Sequence, residues 1–234
     1  MYIQVSTHHS LHHFQNVDLG LQLPAMLLFV AGIIITSQVL APAGLAASIH
    51  HLSDLTSFPI SVNAPTTTPK MPNILIVGAT RGLGAELAKH YAANSSNTVT
   101  GTARSTPKDT LHPAITWISG IDIATEPAGR TLVSSLKGAK QDVVVVVAGF
   151  FPKETFEAPD WEAELQTYKV CAMGPLFVVQ RLAREGLFAR GAKVVLVSSE
   201  AGSIALRHES EGGSMYAHHG SKAALNSEFV SCDL

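Results

Sequence analysis

The stretch Asn73-Ile74-Leu75-Ile76-Val77-Gly78-Ala79-Thr80-Arg81-Gly82-Leu83-Gly84 decides the fold. Its four apolar residues from Ile74 to Val77, three of them β-branched, predict a short buried strand. Three glycines follow, and Ala85-Glu86-Leu87-Ala88-Lys89-His90-Tyr91 then predicts a helix with Leu83, Leu87 and Tyr91 on one face. A strand, a glycine turn and a helix in that order can cradle a phosphate. Residues without Cβ let a ligand approach the backbone, and the helix N-terminus favours an anion. The alternative is a glycine turn that only packs a helix onto a sheet.

The spacing Gly-x-x-x-Gly-x-Gly resembles the cofactor turn of the short-chain dehydrogenase/reductase family. The resemblance implies a doubly wound, three-layer α/β domain with a parallel sheet (a Rossmann fold). It also implies cofactor contacts from Gly78, Thr80, Arg81, Gly82, Leu83 and Gly84. The region that resembles the family runs from about residue 73 to 234.

Composition sets the outer limits. The 234 residues suffice for one α/β domain and an appendage. A hydrophobic content of 46% and a net charge of -2 exclude a disordered chain and give no sign of a nucleic-acid partner. Two cysteines, Cys171 and Cys232, make no disulfide framework and suit a reducing compartment.

The appendage is residues 1–72. No Lys or Arg occurs before Lys70, and Leu19 to Ile49 carries no charge. Residues 19–43 are long enough for a membrane segment, and Pro24 and Pro42 bracket a helix within them. With every basic residue on the C-terminal side, a spanning segment would leave the α/β domain facing the cytoplasm. Two alternatives leave the domain free of a membrane. One is a signal peptide cleaved near Ala41-Pro42-Ala43, and the other is a leader without stable structure. A cytoplasmic protein is the corresponding alternative location. The pairs His8-His9, His12-His13 and His50-His51 lack companions at metal-ligand spacing and read as a solvated tail, so no metal site is assigned. Residues 59–72 form a linker by composition.

Thr98 to Ala103 alternates as a second strand and ends in Arg104. A free ribose 2′-hydroxyl would be met there by Asp or Glu, and neither is present. Arg104 suits a 2′-phosphate instead, and Arg81 adds a second guanidinium. These residues predict NADP(H) as cofactor, the alternative being two solvated arginines. Ile115 to Ile121 is a third strand, and Asp122-Ile123 resembles the family's adenine-pocket position. Residues 126–137 are helical. Asp142-Val143-Val144-Val145-Val146-Val147-Ala148-Gly149 is a strand buried on both faces. Its end resembles the family's Asn-Asn-Ala-Gly, with Val146 and Val147 in place of both Asn and the cofactor contacts Ala148 and Gly149 kept.

Trp161 to Leu187 predicts one long helix with Trp161, Leu165, Tyr168 and Ala172 on a single stripe and a kink at Pro175. Cys171 stands where the family has an Asn that holds a proton-relay water, and no basic partner for its thiol is evident. Lys193 to Ser199 is a fifth strand, and Ser199 matches the family serine that hydrogen-bonds a substrate carbonyl.

The family's catalytic helix carries Tyr-x-x-x-Lys, in which Lys⁺ lowers the phenol's pKa and binds the cofactor ribose. Here Tyr216-Ala217-His218-His219-Gly220-Ser221-Lys222-Ala223-Ala224 keeps Lys222, but His218 replaces the tyrosine. Tyr216, six positions before Lys222, lies about 240° away around a helix. The resemblance thus implies Ser199, His218 and Lys222 as catalytic residues, with Lys222 also on the cofactor. The reaction would be carbonyl reduction or alcohol oxidation of a small molecule by an NADP(H)-dependent oxidoreductase. The alternatives are a non-catalytic nucleotide-binding protein and a truncated gene product. The chain stops at Leu234, where the family continues with about two more strands. An apolar fifth strand left at the edge would be unprotected and invite a second copy, giving a homo-oligomer.

Overall fold

Ile74 to Val77 form the strand on which the sheet is built, β2 (Asn73–Val77), and all four side chains are buried. The computed structural model describes residues 3–7, 71–107, 112–206 and 214–230. Within them the elements run β1 (Ile3–Thr7), β2, α1 (Gly82–Ala92), β3 (Thr98–Thr102), β4 (Ile115–Ile118), α2 (Ala128–Leu136) and β5 (Gln141–Val146). There follow α3 (Trp161–Tyr168), a π-helical turn (Lys169–Met173), α4 (Gly174–Arg184), β6 (Phe188–Val197), a 3₁₀ turn (Glu200–Gly202) and α5 (Tyr216–Val230). The candidate membrane segment 19–43, the linker and the histidine pairs lie outside the described residues. Among the described residues no helix is long and apolar enough to cross a membrane.

The sheet order is β1-β6-β5-β2-β3-β4, and β2 to β6 run parallel to one another. Alternation along the strands divides the core into two layers, as the period-2 geometry of a strand requires. Leu75, Val77, Val144, Val146, Val194 and Leu196 meet Leu132, Val178, Leu182 and Leu225 of α2, α4 and α5. Ile74, Ile76, Val145 and Val195 meet Leu87, Ala88 and Ala92 of α1. Each fully buried Leu, Ile or Val contributes about 1.5–3 kcal/mol relative to exposure. This is the predicted three-layer, doubly wound fold.

Four expectations need correction. The helix over 161–187 is not a single α-helix. Pro175 has no N–H for the Cys171 carbonyl, and just before it the ladder changes register, the Gly174 N–H bonding the Lys169 carbonyl in a π-turn. Trp161, Leu165 and Tyr168 share one face of the first segment, but it is the exposed one, with Trp161 77% exposed, whereas Ala172, inside the π-turn, is buried, so the predicted stripe does not reach it. The last parallel strand begins at Phe188 rather than Lys193. Its outer side is not open, because β1 pairs antiparallel along it from Ile3↔Val197 to Thr7↔Lys193.

Candidate active site

The register Ile74↔Val143 to Val77↔Val146 brings the ends of β2 and β5 out side by side. Gly78 leaves β2 with φ +94, and a Cβ there would lie 2.7 Å from the Cα of Ala148. Two motifs far apart in sequence therefore touch at this turn. The Gly78 N–H donates to Thr102 Oγ1 at 3.0 Å, tying the turn to β3. A Cβ on Gly84 would strike the Gly78 carbonyl oxygen, so the first turn of α1 is pressed onto the strand end. Gly82 is the opposite case: its φ is +55, and the space beyond its Cα is open.

The N-terminus of α1 has no side-chain cap and no acidic residue in its first turn. Its positive end is left for an anion. Thr80, Arg81 and Gly82 are exposed on it, while Leu83 packs against the core. Arg104 is exposed just past β3, and among the described residues neither Arg81 nor Arg104 has an ion pair. The Ile121 N–H donates to the Ala103 carbonyl at 3.0 Å, so the loops bearing Arg104 and Asp122 lie together. Asp122 Oδ1 accepts from the Ala124 N–H at 3.1 Å. Ile123 is a core side chain, and Gly149 is exposed at the end of β5. The turn can thus accept a dinucleotide phosphate, with the exposed Arg81 and Arg104 beside it.

At the same end of the sheet, α5 carries His218 and Lys222 four residues apart. Lys222 is 6% exposed, and its Nζ donates to the Val197 carbonyl at the end of β6 at 2.7 Å. Burial pulls its pKa below the usual lysine value, and Cys171 opposes that shift. Cys171 Sγ lies 3.5 Å from both the N and the O of Phe150. Ser198 donates to Asn226 Oδ1 at 2.6 Å. The Ser199 hydroxyl accepts from the Ala201 N–H and caps the 3₁₀ turn. That turn lies against α5, where a Cβ on Gly202 would come within 2.7 Å of the Lys222 carbonyl carbon.

His218 is half-buried, and its ring and that of Phe151 meet edge to face, with centroids 4.5 Å apart. Burial first, then Lys222 and His219, lowers its pKa to about 4. At neutral pH the imidazole is uncharged, so it can donate an N–H hydrogen bond but carries no imidazolium proton to give. Tyr216 opens α5 and packs on Phe156, with centroids 6.5 Å apart. One residue was not legible in the sequence. The buried Glu154 accepts the Ala217 N–H on Oε1 at 2.8 Å and so caps α5 from a loop 63 positions away. Only the tertiary fold brings the two together.

A family model described as short chain dehydrogenase matches residues 72–231. The chain belongs to this family. Short-chain dehydrogenase srdF of Neurospora crassa is 31% identical over 173 residues, 65% of this chain and 66% of that protein. The chain thus spans just under two thirds of this curated relative. A short-chain dehydrogenase/reductase from Burkholderia multivorans, solved with bound NADP, is 31% identical at a TM-score of 0.57, over 68% of this chain and 71% of that one. A carbonyl reductase from Pseudomonas aeruginosa in complex with NADP is 29% identical at a TM-score of 0.56, over 67% and 73%. In this chain the glycine turn, Ser199 and Lys222 lie at one end of the sheet, with an imidazole at position 218.

Proposed function

We propose that the chain is an NADP(H)-dependent oxidoreductase acting on the carbonyl or alcohol of a small molecule. The observation that carries this reading is the open Gly82 side of the α1 N-terminus, flanked by Arg81 and Arg104 without ion pairs among the described residues. A diphosphate fits the turn, where added Cβ atoms at Gly78 and Gly84 would clash. The two guanidinium groups fit a 2′-phosphate. The relatives solved with NADP support the same cofactor.

When bound, the dinucleotide supplies or accepts a hydride. The remaining work falls to the protein. Ser199 and the neutral His218 donate hydrogen bonds to the substrate oxygen and stabilise the negative charge that develops there. Lys222 holds the ribose side of the site and adds positive charge behind His218. The proton that completes an alcohol comes from water through these groups, because His218 itself is uncharged. General-acid help is typically worth about 10²- to 10⁴-fold, so turnover is expected to be low rather than absent.

A non-catalytic nucleotide-binding protein is the second reading, and the imidazole at position 218 favours it. The test is consumption of NADPH by the purified full chain with a panel of aldehydes and ketones. Steady consumption that stops in Lys222→Ala supports the oxidoreductase. NADPH binding with no consumption supports the second reading. A tether through residues 19–43, with the domain facing the cytoplasm, is a separate proposal that rests on their apolar sequence.

A further inference from the structure

The segment from Phe151 to Phe156 runs along the start of α5 in three consecutive contacts. Phe151 meets His218 edge to face at 4.5 Å. Glu154 accepts the Ala217 N–H at 2.8 Å, and its carbonyl takes the Met215 N–H at 3.4 Å. Phe156 meets Tyr216 at 6.5 Å. Both ring contacts fall within the range of favourable aromatic pairs. Glu154 is 5% exposed, yet Phe151 and Phe156 on either side of it are 54% and 77% exposed. An anchored loop that holds the exposed Phe151 ring against a candidate catalytic imidazole is a wall, and its chemistry is apolar, whereas Phe156 meets Tyr216, about 200° round the helix from His218, and stands apart from it.

We infer that this loop is the acceptor wall of the site, selecting carbonyl compounds with a flat, apolar body, and that Glu154 is the positioning residue that sets it against His218. The inference deepens the proposed oxidoreductase reading and rests on it. A flat apolar substrate stacks on the exposed Phe151 ring with its oxygen toward His218. A small polyhydroxylated carbonyl compound gains nothing from the ring and loses hydrogen bonds to water. Glu154 touches neither substrate nor cofactor. It works by capping the helix that carries His218 and by fixing the loop that carries Phe151.

The test uses the full chain saturated with NADP⁺, which does not reduce a ketone, with acetophenone and dihydroxyacetone as probes followed by saturation-transfer NMR. Acetophenone is expected to bind and dihydroxyacetone not to displace it. Phe151→Ser should weaken acetophenone by about 2- to 12-fold, the worth of one aromatic pair, whereas Phe156→Ser, against Tyr216 on another face of the helix, should match the parent. Glu154→Gln keeps an acceptor for the Ala217 N–H and should match the parent. Glu154→Ala should weaken acetophenone and shift the His218 ring signals, as Phe151 leaves its place. Acetophenone binding that is absent, or unchanged in Phe151→Ser, overturns the wall. Unshifted His218 signals in Glu154→Ala overturn the role of Glu154. NADP⁺ affinity, measured on the same samples, reports the cofactor reading separately: its loss would count against that reading and not against the wall.

Discussion

Lys222 Nζ donates to the main-chain carbonyl of Val197 across 2.7 Å, joining the middle of α5 to the last residue of β6. In the proposed function the same ammonium holds the cofactor ribose, so one side chain would serve both structure and chemistry. Lys222→Met keeps the volume and removes the charge. The half-buried Val197 carbonyl loses its donor, at a cost of up to about 1–3 kcal/mol, while the cost of burying an ammonium is relieved. Urea unfolding is therefore expected to change by less than about 3 kcal/mol while NADPH consumption is lost. Unimpaired consumption in a folded Lys222→Met variant would remove Lys222 from the site.

The low pKa of His218, about 4, has a definite sign for stability. The folded value lies below the ordinary one, so the unfolded chain binds more protons between the two. This contribution is complete above about pH 6.5. It declines as pH falls toward 4 and is gone below that. Glu228 acts in the opposite sense, because burial raises its pKa and its contribution fades as pH rises. Comparing the parent with His218→Gln isolates the imidazole. The parent should lose more unfolding free energy than the variant between pH 7 and pH 5. Equal losses would mean that His218 titrates normally.

Two glycines of one turn should respond differently. Gly84→Ala drives a methyl into the Gly78 carbonyl oxygen and toward Val147, so it should both lower the melting temperature and abolish NADPH binding. Gly82→Ala meets open space and bears only the left-handed backbone strain of about 1–2 kcal/mol. Its fold should survive with a modestly lower melting temperature. Similar melting temperatures for the two variants would contradict the packing described here.

The parts legible in the sequence are those fixed by local chemistry. Ile74 to Val77 and the glycine spacing predicted β2 and its turn, and Lys222 stood out within Ser221-Lys222-Ala223-Ala224. The parts that were not legible depend on partners distant in the chain. Glu154 looks like any loop glutamate until Ala217 is folded onto it. Trp161, Leu165 and Tyr168 do share a face, but their apolar pattern marks the exposed side of the helix, and the π-turn Lys169–Met173 then breaks the 3.6-residue period before Ala172. The start of β6 was missed because Phe188 to Ala192 has no clean alternation and turns through Gly191 at φ +74.

The uncharged run from Leu19 to Ile49 predicts that the full chain sediments with membranes and resists alkaline carbonate. Deleting residues 1–72 should release the α/β domain to the supernatant. A full-length protein that is soluble with these residues intact would rule out the tether.

The central claim is that Arg81 and Arg104 make the glycine turn a site for a 2′-phosphorylated dinucleotide. Fluorescence titration of the purified chain with NADPH and NADH tests it most directly. NADPH should bind more tightly, and Arg104→Asp should narrow or reverse the difference. Equal affinities in the parent chain, or tighter binding of NADH, would contradict the claim.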